Sequence, residues 1–188
     1  MSRTTPIVLV GPPGAGKSTT GRLLAERLGV DFLDVDDHIE QRAGQTVAQI
    51  FTGEGEVAFR SWERDAVRRC LTEQSGVLAL GGGAILADDT RELLRGHTVV
   101  FLNVGMAEGV RRTGLSTARP LLAGLNPRAT FKALLDARLP LYREVATVEV
   151  VTDRQDPSEV AAAVVAALAE GGERAESVQP GDSDARTD

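Results

Sequence analysis

Apolar and polar positions along the chain follow two alternating periods. Short β-rich runs stand at 7–10 (IVLV), 31–35 (DFLDV), 77–80 (VLAL), 98–104 (TVVFLNV) and 147–152 (TVEVVT), and stretches with helical spacing lie between them. Helices are predicted over 17–28, closed by Gly29, then from the second run to about 75, and over 89–95, 128–138 and 157–170. Strand and helix in strict alternation predict an α/β architecture: three layers, with a central parallel sheet of about five strands flanked by helices. In such sheets ligands gather beyond the carboxyl ends of the strands, so the residues after each run matter most. In EGEVAFRSWERDAVRRCL, Phe59, Trp62, Ala66, Val67, Cys70 and Leu71 recur at helical spacing, which assigns Trp62 and Cys70 to the core.

The first run leads directly into GPPGAGKST at 11–19, which fits G-x-x-x-x-G-K-[ST]. Glycine lets such a loop turn its N–H groups inward around phosphate, so Gly14, Ala15, Gly16, Lys17, Ser18 and Thr19 are the expected nucleotide contacts. Lys17 adds a point charge, the following helix adds the positive end of its dipole, and Ser18 adds a hydroxyl for magnesium. A flexible turn is the alternative. Lysine occurs only at 17 and 132, so a chance match is below about one per cent on composition.

With 188 residues, 42% of them hydrophobic, the chain has material for one good core, and 1–170 is expected to form a single domain. No apolar run reaches the length of a membrane span, no secretory pattern opens the chain, and one cysteine makes no internal disulfide. A cytoplasmic protein without a membrane partner is expected. A net charge of −6 argues against a nucleic-acid surface. The segment 113–127, TGLSTARPLLAGLNP, carries Arg119 and suits a mobile lid over a phosphate site, with an ordinary surface loop as the alternative. The tail 171–188 is nearly devoid of apolar residues and is expected to be disordered.

After the second run comes DVDD, where period-two alternation sends Asp34 and Asp36 to one side, and Asp37 with Glu40 reads as a capping box. The third run ends in Gly81, Gly82 and Gly83 and lacks an aspartate for magnesium, so Asp34, near Ser18 at adjacent strand ends, is the candidate acidic partner. The three glycines offer bare backbone to a substrate or make a tight turn. Taken alone, Arg60 is a solvated cation or an i,i+3 partner of Glu63, and Arg138, just before Leu-Pro, is a terminal cation on a helix dipole. His38 and His97 have no partner constellation and receive no role.

Together, GPPGAGKST, FLDVDDHIE, GEVAFRSWE, VLALGGGAI, RRTGLSTARPLLAG and ARLPLYREVA resemble, in order and spacing, the shikimate kinases of the nucleoside monophosphate kinase-like P-loop group, over about residues 6–168. The resemblance implies magnesium-dependent transfer of the γ-phosphoryl group of ATP to the 3-hydroxyl of shikimate, a step towards chorismate and the aromatic amino acids, by a monomer. It implies a substrate-binding segment at 35–63, with Arg60 and Arg138 on the substrate carboxylate and Asp36 with the amides of Gly81, Gly82 and Gly83 on its hydroxyls. Asp36 would orient the attacking hydroxyl, while Lys17, magnesium and Arg119 meet the charge of the transferring phosphoryl group. Arg112 and Pro157 would clamp adenine, with Gln155 beside it; Gln155 and Asp156 depart from the cation and amide frequent at these places in the family. Two other readings remain: another small-metabolite or nucleotide kinase, such as a gluconate kinase, and a nucleotide-dependent switch. The second is disfavoured by the absence of an N-K-x-D motif.

Overall fold

The structure, a computed structural model, describes residues 5–113 and 126–176. Five strands, β1 (Ile7–Val10), β2 (Phe32–Asp34), β3 (Val77–Ala79), β4 (Thr98–Asn103) and β5 (Val148–Val151), form one sheet in the order β2-β3-β1-β4-β5. Every pairing is parallel. Among the described residues, eight α-helices connect and cover them: α1 (Lys17–Leu28), α2 (Val35–Ala43), α3 (Val47–Gly53), α4 (Gly55–Glu73), α5 (Asp88–Leu94), α6 (Met106–Thr113), α7 (Pro127–Val145) and α8 (Pro157–Glu176).

The central strands are buried on both faces, which is why they read as continuous apolar runs. Along β1 and β4 successive side chains go to opposite cores. Val8, Val10, Val99 and Phe101 join Val67, Ile39 and Tyr142 on one face. Leu9, Val100 and Leu102 meet Leu24, Phe131 and Val164 on the other. The resulting three layers put the carboxyl end of central β1 at the middle of one sheet edge, flanked by the ends of β3 and β4.

The five expected strands are all present, and helix 17–28 ends at Gly29 in a left-handed conformation, as read. Two helices run further than expected. The α7 helix begins at Pro127 and passes through Pro140 to Val145, because tertiary packing of Tyr142 outweighs the lost N–H at Pro140. Arg138 is therefore an interior residue, not a terminal cation. The α8 helix continues to Glu176, six residues into the segment expected to be disordered, across Gly171 and Gly172. Residues 177–188, Arg119 and most of the 113–127 segment lie outside the described residues.

Candidate active site

The phosphate wall follows from β1 ending at Val10. Gly16 adopts φ 85, a left-handed conformation disfavoured for residues with a β-carbon, and starts α1 without any side-chain cap. The first N–H groups of α1 are thereby left for an anionic ligand. Lys17 Nζ donates to the carbonyls of Gly11 at 2.8 Å and Pro12 at 3.1 Å, which holds the ammonium along the loop. Ser18 Oγ donates to Asp34 Oδ2 at 2.5 Å across 16 residues of sequence.

Asp34 ends β2 and also caps α2, its Oδ1 accepting from the Asp36 amide at 3.0 Å. This corrects the expected capping box at Asp37: the strand stops at Asp34, which is extended and one turn too early for Asp37 to cap anything. Glu40 Oε1 instead accepts from the amide of Val47, tying the end of α2 to the start of α3. Asp36 consequently sits in the first turn of a helix, not on a strand, yet it lines the same cavity as Asp34. A genuine capping box opens α3, with Thr46 and Gln49 bonded reciprocally. That T-x-x-Q signal was available in the sequence.

Opposite the loop, Arg60 Nη1 donates to Glu63 Oε2 at 2.6 Å and Nη2 to Glu56 at 3.2 Å along α4. Its guanidinium lies 5.4 Å from the ring centre of Phe59. Arg138 Nη1 donates to the carbonyl of Gly82 at 3.0 Å, and Tyr142 Oη, one turn along α7, donates to the same oxygen at 2.6 Å. At 81–83 any side chain would crowd its neighbours. A β-carbon on Gly81 would stand 2.7 Å from Glu63 Oε1 and 2.8 Å from Asp36 Oδ1, and one on Gly83 would collide with the Arg60 guanidinium.

Asp36 Oδ1 and Glu63 Oε1 are buried with no hydrogen-bond partner among the described residues. Burial, followed by the charges of Asp34 and Glu63, pushes the Asp36 carboxyl up to about 7, against the opposing pull of Lys17 and Arg60. Burial also raises Glu63, with Arg60 and then Arg138 pulling it back. An orphaned acceptor of raised proton affinity suits a partner that brings its own donor, such as a substrate hydroxyl.

One cavity of about 580 Å³ joins both walls. Gly14, Gly16, Lys17, Ser18 and Thr19 face Asp36, Arg60, Arg138 and Gly81, Gly82 and Gly83, with Asp34 and Arg112 at its border. Ala15 is packed in the core beneath the loop, so its contribution is its backbone. Arg112 on α6 donates to the carbonyls of Gly14 at 3.3 Å and Thr152 at 3.0 Å, linking the phosphate loop to the loop after β5. Gln155 and Pro157 do not line the cavity: the Gln155 amide donates to the Val151 carbonyl and Pro157 opens α8. Glu63, Tyr142, Val47, Phe51, Phe59 and Leu134 belong to the site or its support without having been singled out for it. Glu63 at i+3 from Arg60 and Tyr142 at i+4 from Arg138 were the signals present.

Among the described residues, no three acidic, histidine or cysteine side chains cluster as a metal cage. One hydroxyl and one carboxylate beside a phosphate loop nevertheless form a suitable donor set for magnesium, which retains waters and takes its remaining ligands from phosphates.

A phosphate loop that shares its cavity with a carboxylate and two arginines defines a P-loop kinase of small molecules. The family model described as "Shikimate kinase" matches residues 13–169. The chain is 67% identical over 150 residues to the shikimate kinase of Saccharopolyspora erythraea, covering 80% of this chain and 86% of that one. It is 54% identical to that of Thermobifida fusca, covering 92% of this chain and 100% of the relative. The structure of shikimate kinase from Acinetobacter baumannii in complex with shikimate superposes with a TM-score of 0.86 at 40% identity, covering 89% and 94% of the two chains. The chain belongs to the shikimate kinase family of ATP-dependent phosphotransferases.

Proposed function

We propose that this chain transfers the γ-phosphoryl group of ATP to the 3-hydroxyl of shikimate, yielding shikimate 3-phosphate and ADP, with the residues of the central cavity in the following roles. The observation carrying this reading is that Lys17 and Ser18 share one cavity with Asp36, Arg60 and Arg138. A ring bearing a carboxylate and three hydroxyls calls for guanidinium forks at one end and an acceptor at the other, and this cavity supplies both.

Amides of the loop around Gly14, Ala15 and Gly16 and of the first turn at Thr19 bind the phosphates, with the Lys17 ammonium on their charge. Ser18 and Asp34, joined by a 2.5 Å bond, would hold magnesium, which would supply charge neutralisation at the phosphates. Arg60 and Arg138 take the acceptor carboxylate, and residues 81–83 present their backbone to the ring. Asp36 accepts the hydroxyl that attacks and orients it in line with the γ-phosphorus; its raised proton affinity fits it to receive that proton as the bond forms. Arg119, which lies outside the described residues, supplies the cation that meets charge on the transferring group. Arg112 and Pro157 flank adenine, with Gln155 at its edge. The reading includes a cytoplasmic monomer. Among the described residues no helix is long and apolar enough to cross a membrane.

Phosphorus NMR of the product, with proton correlation to the ring, tests the transfer. The 3-O-phosphate is expected in equal amount to the ADP formed, and phosphate on another hydroxyl or free in solution contradicts the assignment of Asp36.

A further inference from the structure

Two donors converge on one carbonyl in the acceptor wall. The Gly82 oxygen takes hydrogen bonds from Arg138 Nη1 at 3.0 Å and from Tyr142 Oη at 2.6 Å. Arg138 and Tyr142 stand four residues apart on α7, on one helix face, and reach across 56 and 60 residues of sequence to the same atom. Tyr142 is fully buried, its ring stacked on Phe101 of β4 at 5.1 Å between centres and 17° between planes. The hydroxyl is therefore held from behind by the sheet.

The other side of Gly82 touches the phosphate loop. A β-carbon there would stand 3.2 Å from Pro13 Cδ and 3.3 Å from the Gly11 carbonyl oxygen. The Gly82 peptide is thus wedged between the loop that binds phosphate and the helix face that carries Arg138. A carbonyl free to rotate would hand its second acceptor site to Arg138 in several directions. A carbonyl fixed by the Tyr142 hydroxyl offers Arg138 one direction, leaving the remaining N–H groups of its fork with a set orientation.

We propose that Tyr142 is a positioning residue: through the Gly82 carbonyl it sets the Arg138 guanidinium in register with the phosphate loop, and so fixes where an acceptor carboxylate sits relative to the phosphoryl donor. This rests on the reading of Arg138 as a carboxylate ligand. Tyr142 does not line the cavity itself. Its role differs from simple core packing, because the ring alone satisfies the stack on Phe101 while only the hydroxyl reaches Gly82.

Steady-state kinetics on Tyr142→Phe, Arg138→Ala and the double variant test this. Tyr142→Phe keeps the ring, and its shikimate KM is expected to rise roughly tenfold, the size of one buried hydrogen bond, while ATP KM stays within about twofold. In the Arg138→Ala background the same change is expected to add less than about twofold, because the group it positions is gone. An unchanged shikimate KM in Tyr142→Phe, an equal rise in ATP KM, or the same effect in both backgrounds overturns the proposal. If Arg138→Ala alone leaves shikimate KM unchanged, the carboxylate reading fails first. Tyr142 is the single tyrosine of the chain, so fluorotyrosine incorporation reports this position alone even if Tyr142→Phe does not fold. The fluorine resonance is expected to move on adding shikimate to labelled protein and to stay still in labelled Arg138→Ala; a resonance indifferent to shikimate in both overturns the link.

Discussion

Arg60 and Glu63, one turn apart on α4, form a 2.6 Å ion pair in which only one carboxylate oxygen is used. The other oxygen lies buried against Gly81, without a partner among the described residues. A glutamate 2% exposed, with an arginine on one oxygen and the cavity near the other, fixes the guanidinium in place. Replacing it by glutamine keeps the shape and turns an ion pair into a hydrogen bond from a cationic donor to a neutral acceptor, a difference of about 1 kcal/mol. Glu63→Gln is expected to raise shikimate KM about five- to tenfold with ATP KM unchanged, as read from initial rates with each substrate varied in turn. Unaltered shikimate KM would separate Glu63 from the acceptor site.

Gly83 makes the same point from the backbone side. Its φ of −103 is ordinary, so alanine is not excluded by conformation, and the obstacle is the Arg60 guanidinium where the new methyl would go. A guanidinium at the end of a flexible side chain can move aside. Gly83→Ala is therefore expected to fold with a Tm near that of the parent while shikimate KM rises by tenfold or more and ATP KM holds. A large loss of Tm would show instead that the main chain, not Arg60, yields.

Asp36 links activity to stability with opposite signs. Its carboxyl is raised from 3.8 to about 7 by burial and by the neighbouring Asp34 and Glu63 charges, so the folded state holds a proton that the unfolded chain has released. Stability therefore falls as pH rises from about 4 to about 7, and the full cost is present above that window. Asp36→Asn removes the cost. Thermal melts are expected to show the variant several degrees more stable than the parent at pH 8 and equal to it near pH 3.5, while phosphoryl transfer is lost at either end. Equal melting at pH 8 would mean that the carboxylate is solvated or paired.

Ser18 and Asp34 form a contact whose value is testable without touching the acceptor wall. Ser18→Ala deletes the hydroxyl next to the phosphate loop and leaves the Asp34 cap on α2 intact through its other oxygen. The magnesium concentration for half-maximal rate is expected to rise at least tenfold at saturating ATP, with shikimate KM little changed. An identical magnesium titration in both proteins would assign the hydroxyl a purely structural bond.

Much of this fold was legible because its strands carry the signal twice. The runs at β1, β3 and β4 are apolar on both faces, so sheet and layers follow from pattern, whereas α6 after β4 was not among the expected helices. The phosphate loop was legible because its residues are contiguous: Gly14, Gly16, Lys17 and Ser18 line one cavity from neighbouring positions. The acceptor wall is different. Arg138 owes its place to a bond with Gly82 and a helix that ignores Pro140, and neither long-range contact nor tertiary override is written in the local residues. Only the set of motifs taken together pointed to Arg60 and Arg138. Asp34 as the cap of α2 was missed for a narrower reason, since the end of a three-residue strand decides which of three aspartates faces the helix amides.

The arginine pair is most directly tested by kcat/KM for shikimate against shikimate methyl ester, in the parent protein and in Arg60→Ala. If Arg60 and Arg138 grip the carboxylate, the parent prefers the acid by about a hundredfold or more, as for a charged hydrogen-bonding group left unpaired, and Arg60→Ala erases most of that preference. Equal turnover of acid and ester by the parent protein would contradict it.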